Sequence, residues 1–503
     1  MQFEPFFLTG FDRRARLIYN VLMTGTKRKT NKGRVLFVIP PITPKERYEF
    51  ADVGYHMPPL GVSYMAAILK NEGIEVDILD CPVLDHAVDD LIEKIKNYDP
   101  DLVGFTTLTP TFKRVVLASK EIKKHFPQKK IVIGGHYPTI KKEEILEESK
   151  NIDMVVYGEG ERTIVELIEA INGKIDLKEV DGLIYRNKKG EIIKNKKRDL
   201  VADLDSLPLP ARDLLPMEKY KPAPHHYKEL PVCHIIAARG CPYQCTFCAF
   251  TQIAGKKVRY RSPENVIEEM KYLVNEYGAK EIILRSEMIT ANREWVEEFT
   301  EKLIADDFEV PWMCYCRVDS VDYELLKKMK QAGCWQIFYG VESGVQKLLD
   351  KVKKGTTLEQ ARDAVKWTKK AGIEMRASFM LFMPGETPEL TQKTIDFALE
   401  LDPDYAQFAP TTPFPGTALH EEAKRHGQMI LDHDKYTTHK IAFVPEGYDS
   451  IEQMEEMYKK AYFSFYRRPG YALKRLKKIN SWTSLKRSLM GLKVIFSLMN
   501  PFK

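Results

Sequence analysis

The 503-residue chain has only eight cysteines, too few to staple it as a disulfide scaffold. No window holds 18 consecutive apolar residues, so a spanning helix is not expected. The opening stretch, MQFEPFFLTGFDRRARL, lacks the apolar core and small-residue cleavage site of a secretory signal. Repeats and low-complexity tracts are missing as well. Acids are absent altogether from Lys460 to Lys503, where eleven Lys and Arg stand, leaving a net −5 on the rest of a +6 chain. Apolar residues at 44% and charged residues at 29% give a globular balance. These features together predict a cytoplasmic protein of roughly three units.

The acid-free tail mixes its cations with Tyr462, Phe463, Phe465, Tyr466, Trp482, Leu485, Leu489, Met490 and Phe496. Basic and bulky apolar residues without acids suit an anionic membrane surface better than nucleic acid, so peripheral contact with the inner membrane face is expected and a nucleic-acid partner is not. The plainer reading is a helix packed on the protein with a solvated basic face. Residues 1–33 repeat the theme weakly, as an amphipathic extension with Phe6, Phe7 and Leu8 beside Arg13, Arg14 and Arg16.

Between these ends lie two α/β arrays. In the first, RVLFVI (34–39), VDILD (76–80), LVGFTT (102–107), KIVIGG (130–135) and DMVVYG (153–158) alternate with helix-like stretches. That alternation predicts a doubly wound parallel sheet over residues 34–164, with ligands at its C-terminal strand ends. Residues 165–231 read as a linker with one hairpin, LIYRNKKGEIIK (183–194), turning at Lys189-Gly190. In the second array, six strand–helix repeats over residues 232–430 predict a partial (β/α)6 barrel, again working at its C-terminal strand ends. Residues 431–503 form the basic helical region.

Just after the first barrel strand stands Arg239-Gly240-Cys241-Pro242-Tyr243-Gln244-Cys245-Thr246-Phe247-Cys248. Three thiolates so spaced can bind three irons of one cubane and leave the fourth iron open for a ligand. Soft thiolates select iron–sulfur or zinc. Zinc would want a fourth ligand, for which Cys233 lies eight residues back on a predicted strand. Cys81, Cys314, Cys316 and Cys334 fall on or near strands and read as small core hydrophobes.

The spacing, the aromatic before the last cysteine and the place after a first barrel strand resemble the radical S-adenosylmethionine superfamily. The resemblance runs from about Arg34 to Tyr471. It takes in PPLG (58–61), GGHYPT (134–139) and GEGE (158–161), then CRVD (316–319), AGCWQIFYGVESG (332–344), KKG (353–355), PGET (384–387) and TPFPGT (412–417). Those motifs resemble the cobalamin-binding subgroup, and FYRRPGYALKRL (465–476) resembles its members acting on hopanoids and porphyrins, related to the anaerobic magnesium-protoporphyrin ester cyclases.

The resemblance implies three cofactors: a 4Fe–4S cluster on Cys241, Cys245 and Cys248, S-adenosylmethionine, and cobalamin. It implies a cobalamin-binding-like domain before a radical barrel. It also implies anaerobic chemistry in which a 5′-deoxyadenosyl radical takes a hydrogen atom from an unactivated carbon of an apolar, lipid-like or polycyclic substrate. C-methyl transfer is the expected outcome. Radical ring closure, ring contraction or oxidation, with cobalamin absent or non-methylating, is the alternative, and a metal protein associated with nucleic acid is the alternative of another class. A flavodoxin or ferredoxin would supply electrons.

By the same resemblance Phe247, Ser286, Glu287, Arg317, Asp319, Glu342 and Ser343 would surround S-adenosylmethionine, with Arg376 and Thr412 as weaker candidates. Thr106, Thr107, Thr109, Gly134, Gly135 and Gly158 would face cobalamin. The Asp-x-His-x-x-Gly ligand pattern of cobalamin domains is missing from loop 40–61, where Asp52 and His56 have the wrong spacing. Many relatives in this subgroup lack the pattern, which implies cobalamin held without a histidine ligand or, as the alternative, cobalamin lost.

Overall fold

The computed structural model describes residues 33–41, 56–286, 288–430, 436–437, 439–479, 485 and 488–491. The N-terminal extension, Asp52, Glu287, Trp482 and most of the distal tail lie outside them.

The first array runs β1 (Arg34–Ile39), α1 (Leu60–Asn71), β2 (Glu75–Asp80), α2 (Val88–Tyr98), β3 (Leu102–Thr106), α3 (Phe112–His125), β4 (Lys130–Gly134), β5 (Met154–Val156), α4 (Glu161–Ile171), β6 (Leu183–Arg186) and β7 (Ile192–Lys194). The strands form one sheet in the order 2-1-3-4-5-6-7. The first five are parallel, with Val35 level with both Val76 and Leu102. The hairpin expected in the linker pairs antiparallel with β5 and widens this sheet to seven strands. Val35, Phe37 and Ile39 pack with residues of α1 and α4, while Leu36 and Val38 pack with α2 and α3. Burial on both faces is why β1 reads as an unbroken apolar run. The chain leaves β1 for β2 on one side and reaches β3 on the other, so the crevice at the ends of β1 and β3 is the switch point where such sheets bind ligands.

The second array runs β8 (Val232–Ile235), β9 (Ala238–Arg239), β10 (Arg259–Tyr260), α5 (Pro263–Tyr277), β11 (Glu281–Leu284), α6 (Arg293–Ala305), β12 (Trp312–Arg317), α7 (Tyr323–Gln331), β13 (Cys334–Glu342), α8 (Leu358–Lys370), β14 (Glu374–Leu381), α9 (Pro388–Leu401), β15 (Tyr405–Pro410), α10 (Ile451–Tyr466) and α11 (Pro469–Leu476). Side-chain caps start the helices: Ser262, Thr357 and Thr387 accept from the backbone N–H of Asn265, Gln360 and Leu390. Six parallel strands, 8-11-12-13-14-15, make the partial barrel, with β9 and β10 paired separately as a small ribbon.

Strand alternation sorts the barrel residues. Ile282, Leu284, Trp312, Cys314, Cys316, Cys334 and Ile337 pack outward against the helices, which places these cysteines in the core as their strand positions predict. Val232, Ile283, Met313 and Trp335 pack together on the inner face with Tyr315 and Phe338. Farther along that face Tyr315, Phe338, Gly340, Ser378, Met380, Gln407 and Ala409 stay partly exposed while their neighbours are buried, so the lumen is open there.

Two tyrosines cover the β15 edge. The Tyr466 hydroxyl donates to the Ala406 carbonyl (2.7 Å) and accepts from its N–H (3.1 Å). Tyr462 does the same at Phe408 (3.0 and 3.3 Å). Their i, i+4 spacing puts both on one face of α10.

The proximal tail follows the plainer reading. Arg468 and Lys474 pair with Asp402, Arg475 with Glu374, and Lys478 with Asp404 and Glu374. Leu473 and Leu476 are left 56% and 62% exposed. Among the described residues no helix is long and apolar enough to cross a membrane.

Candidate active site

The three clustered cysteines lie on the loop between β9 and β10, at the C-terminal end of the barrel's first strand. Backbone bonds fix this loop: Cys241 N–H to Gly255 O (3.1 Å), Thr246 N–H to Val352 O (2.9 Å) and Leu419 N–H to Thr246 O (2.9 Å). Cys241 and Cys245 are half-buried and Cys248 is exposed. Among the described residues no three His, Cys, Asp or Glu side chains converge on a single metal ion. A cubane takes each thiolate on a different iron, and three cysteines within eight residues of one loop are a donor set of that kind. Burial pushes the Cys233 thiol up to about 11, and its side chain packs in the helix-side core, so it is no fourth thiolate. Phe247 packs against Leu348, Val352, Met383 and Leu419 and anchors the loop to the far side of the barrel.

Opposite the loop stand two buried ion pairs. Arg317 donates from Nε and Nη2 to the two Asp319 oxygens, both at 2.9 Å, and its guanidinium lies 3.6 Å from the centre of the Tyr243 ring. Arg317 also donates to the Lys354 carbonyl (2.7 Å), and Lys354 Nζ donates to Glu342 Oε1 (2.7 Å). Glu342 sits at φ +69° where the β13–β14 register shifts. Strain of that kind persists only where surrounding contacts hold it. Gly340 leaves room for this pair, because a Cβ would run into the Glu342 carboxylate and lie 2.9 Å from Lys354 Nζ. Sequence reasoning named Arg317, Asp319 and Glu342. It left Lys354 without a role, although KKG marked the position.

The other candidates have separate partners. Ser343 turns from Glu342 toward Thr394 of α9 (3.2 Å). The Ser286 hydroxyl accepts from the N–H groups of Ala237 and Ala238, both at 2.9 Å, tying β11 to the end of β8. The Arg376 guanidinium lies 4.3 Å from the Phe338 ring centre. Thr412 donates to the Thr437 carbonyl (2.8 Å). Glu287 lies outside the described residues.

On the other side of the cysteine loop is a cavity of about 370 Å³ at the switch point of the first sheet. Thr106, Gly134, Gly135 and Gly158 line it, and Thr107, Thr109 and His56 do not. Gly135 has φ +101°, and a Cβ there would lie 3.0 Å from the Thr107 carbonyl. The walls are mostly apolar, with Phe37, Val62, Met65 and Val156 from the first array and Phe250 and Ile253 from the cysteine loop. Glycine floor, apolar walls and a few polar groups fit a corrin and its amide-bearing tail. Sequence reasoning missed the cysteine-loop half of this wall, because the chain reaches it only through the fold.

Comparison with known proteins gives the same division. Residues 49–168 match the B12 binding domain and residues 235–398 the radical SAM superfamily. An uncharacterized methyltransferase of Pyrococcus horikoshii is 35% identical over 460 residues, covering 91% of this chain and 98% of that one. The anaerobic magnesium-protoporphyrin IX monomethyl ester cyclase of Rubrivivax gelatinosus is 31% identical, covering 84% and 76%. The solved structure of OxsB, a cobalamin-dependent S-adenosylmethionine radical enzyme, matches in fold with a TM-score of 0.71 at 18% identity, covering 93% of this chain and 72% of that one. The chain belongs to the cobalamin-binding radical S-adenosylmethionine enzymes, whose cofactors are a 4Fe–4S cluster, S-adenosylmethionine and cobalamin.

Proposed function

We propose that this enzyme transfers a methyl group to an unactivated carbon of an apolar, lipid-like or polycyclic substrate. The carrying observation is the placement of one cysteine loop between a glycine-floored cavity and an open barrel lumen. When bound, the cluster and S-adenosylmethionine supply the hydrogen-abstracting radical, and cobalamin supplies the methyl group. The chain's part is orientation and shielding. Cys241, Cys245 and Cys248 would hold the cluster. The Arg317–Asp319 and Lys354–Glu342 pairs, beside that loop, would orient the carboxylate and ribose of S-adenosylmethionine. Thr106, Gly134, Gly135 and Gly158 would receive cobalamin. Tyr315, Phe338, Met380 and Ala409 give the lumen a wall suited to an apolar substrate.

The methyltransferase relative supports this reading. The cyclase relative favours ring closure as the second one. Protein reconstituted with iron, sulfide and hydroxocobalamin, then given reductant, S-adenosylmethionine and a lipid extract, decides between them. Methyl transfer yields S-adenosylhomocysteine together with deoxyadenosine. Deoxyadenosine alone would move the assignment to ring chemistry.

A flavodoxin or ferredoxin as electron donor belongs to the same proposal, as does peripheral membrane contact. Exposed Leu473 and Leu476 support the contact, continuing into the acid-free tail. Removing residues 480–503 spares the ion pairs of Lys474, Arg475 and Lys478. It is expected to abolish sedimentation with anionic liposomes, and unchanged sedimentation would refute membrane contact.

A further inference from the structure

Glu159 belongs to the first array, yet its partners are in the second. Arg259 of β10 grips both its oxygens, Nη2 to Oε1 at 2.7 Å and Nη1 to Oε2 at 2.9 Å. Arg239 of β9 reaches Glu159 Oε1 at 3.2 Å and Glu161 Oε1 at 2.7 Å. Arg239 and Arg259 are directly opposite each other in the ribbon, and the loop they flank carries all three clustered cysteines. Arg259 Nη2 also donates to the Ala254 carbonyl (3.0 Å), closing the short helix Phe250–Ala254 that walls the cavity. The Val201 N–H donates to Glu159 Oε2 (2.7 Å), adding the connector. All four charged side chains are nearly buried, at 6–13% exposure, where such bonds are strong and fixed in direction. Gly158, Glu159, Gly160, Glu161 and Arg239 line the cavity themselves.

A group seated in the cavity therefore presses on both ends of one charged bridge, and that bridge carries the cysteine loop. We propose that Glu159 is a positioning residue that couples the two cofactor sites, so that a corrin in the cavity strengthens retention of the cluster and the cluster strengthens retention of the corrin. The proposal rests on the cofactor assignment above. Coupling between binding sites is reciprocal, so one factor must appear in both directions.

The test uses full-length protein carrying the cluster, with and without hydroxocobalamin, and follows bleaching of the iron–sulfur absorption by an iron chelator. In the natural protein cobalamin is expected to slow bleaching about fivefold or more. Removing the cluster should weaken the Kd for hydroxocobalamin, also by about fivefold or more. In Glu159→Gln both effects are expected to shrink to within about twofold while both cofactors still bind. Undiminished protection in Glu159→Gln overturns the proposal, as does natural protein that binds both cofactors without mutual protection. If Glu159→Gln does not fold, Arg259→Lys decides. A lysine keeps the charge but cannot hold both Glu159 oxygens and the Ala254 carbonyl together, so reduced protection supports coupling and full protection refutes it. Natural protein that retains no corrin would instead strike down the cofactor assignment, and this proposal with it.

Discussion

Cys245→Ala is expected to abolish the iron–sulfur absorption and to lower reductive cleavage of S-adenosylmethionine on the order of 10³-fold or more, because ligands of one cluster act as a unit. Its neighbour Thr246 is tied to Val352 and Leu419 through backbone atoms alone, so the loop should hold its course without the thiol. The effect then reports on ligation and not on folding. Cys316→Ser is the matched control. Cys316 packs on the helix side of β12, with Cys314 Sγ 3.7 Å away. That variant should load iron and sulfide normally. Iron quantitation and chromatography of deoxyadenosine check both. A Cys245→Ala protein with a full cluster would remove this cysteine from the ligand set.

The largest stability effect is expected at Glu269. This carboxylate on α5 has no exposed surface. It takes a charge-assisted bond from Arg212 Nη2 (2.5 Å) and another from Arg261 Nη1. Arg212, equally buried, also donates to the His234 carbonyl on β8 (2.8 Å), while its Nε and Nη1 find no acceptor among the described residues. Glu269→Ala would leave two guanidinium groups buried without a counter-charge. Breaking a buried pair from one side costs about 3–5 kcal/mol. The urea midpoint should fall accordingly with the slope unchanged, since the surface exposed on unfolding stays nearly the same. A loss below about 1 kcal/mol would mean that water reaches the site and relieves the charges.

Much of this molecule can be read from local pattern. The unbroken apolar run of β1, the strand–helix alternation and the C-x3-C-x2-C spacing depend on neighbours in sequence. The architecture and the cysteine loop therefore come out of the chain directly. Paired candidates at strand ends were harder. Glu342 and Ser343 read alike, but β13 ends at Glu342 in a positive-φ turn of the chain, so Glu342 meets Lys354 and Ser343 meets Thr394. Ser286, two residues past the end of β11, spends its hydroxyl on two backbone amides. The Glu159–Arg259 bridge spans a hundred residues, and no periodicity could show it. The tail mixed two signals in one composition. Its first cations match acids at Glu374, Asp402 and Asp404 that only folding brings beneath them.

The tyrosine-covered edge at β15 bears on how the barrel ends without closing. A bare edge offers its amides to any passing strand. A seventh strand would close that edge but fix the circumference of the barrel. Tyr462 and Tyr466 satisfy two rungs with hydroxyls that belong to a helix. Each such bond is worth about 0.5–1.5 kcal/mol net. The β15 edge is therefore finished by side-chain hydroxyls in place of a seventh strand, and the partial barrel stays unclosed on that side without leaving these two rungs unpaired.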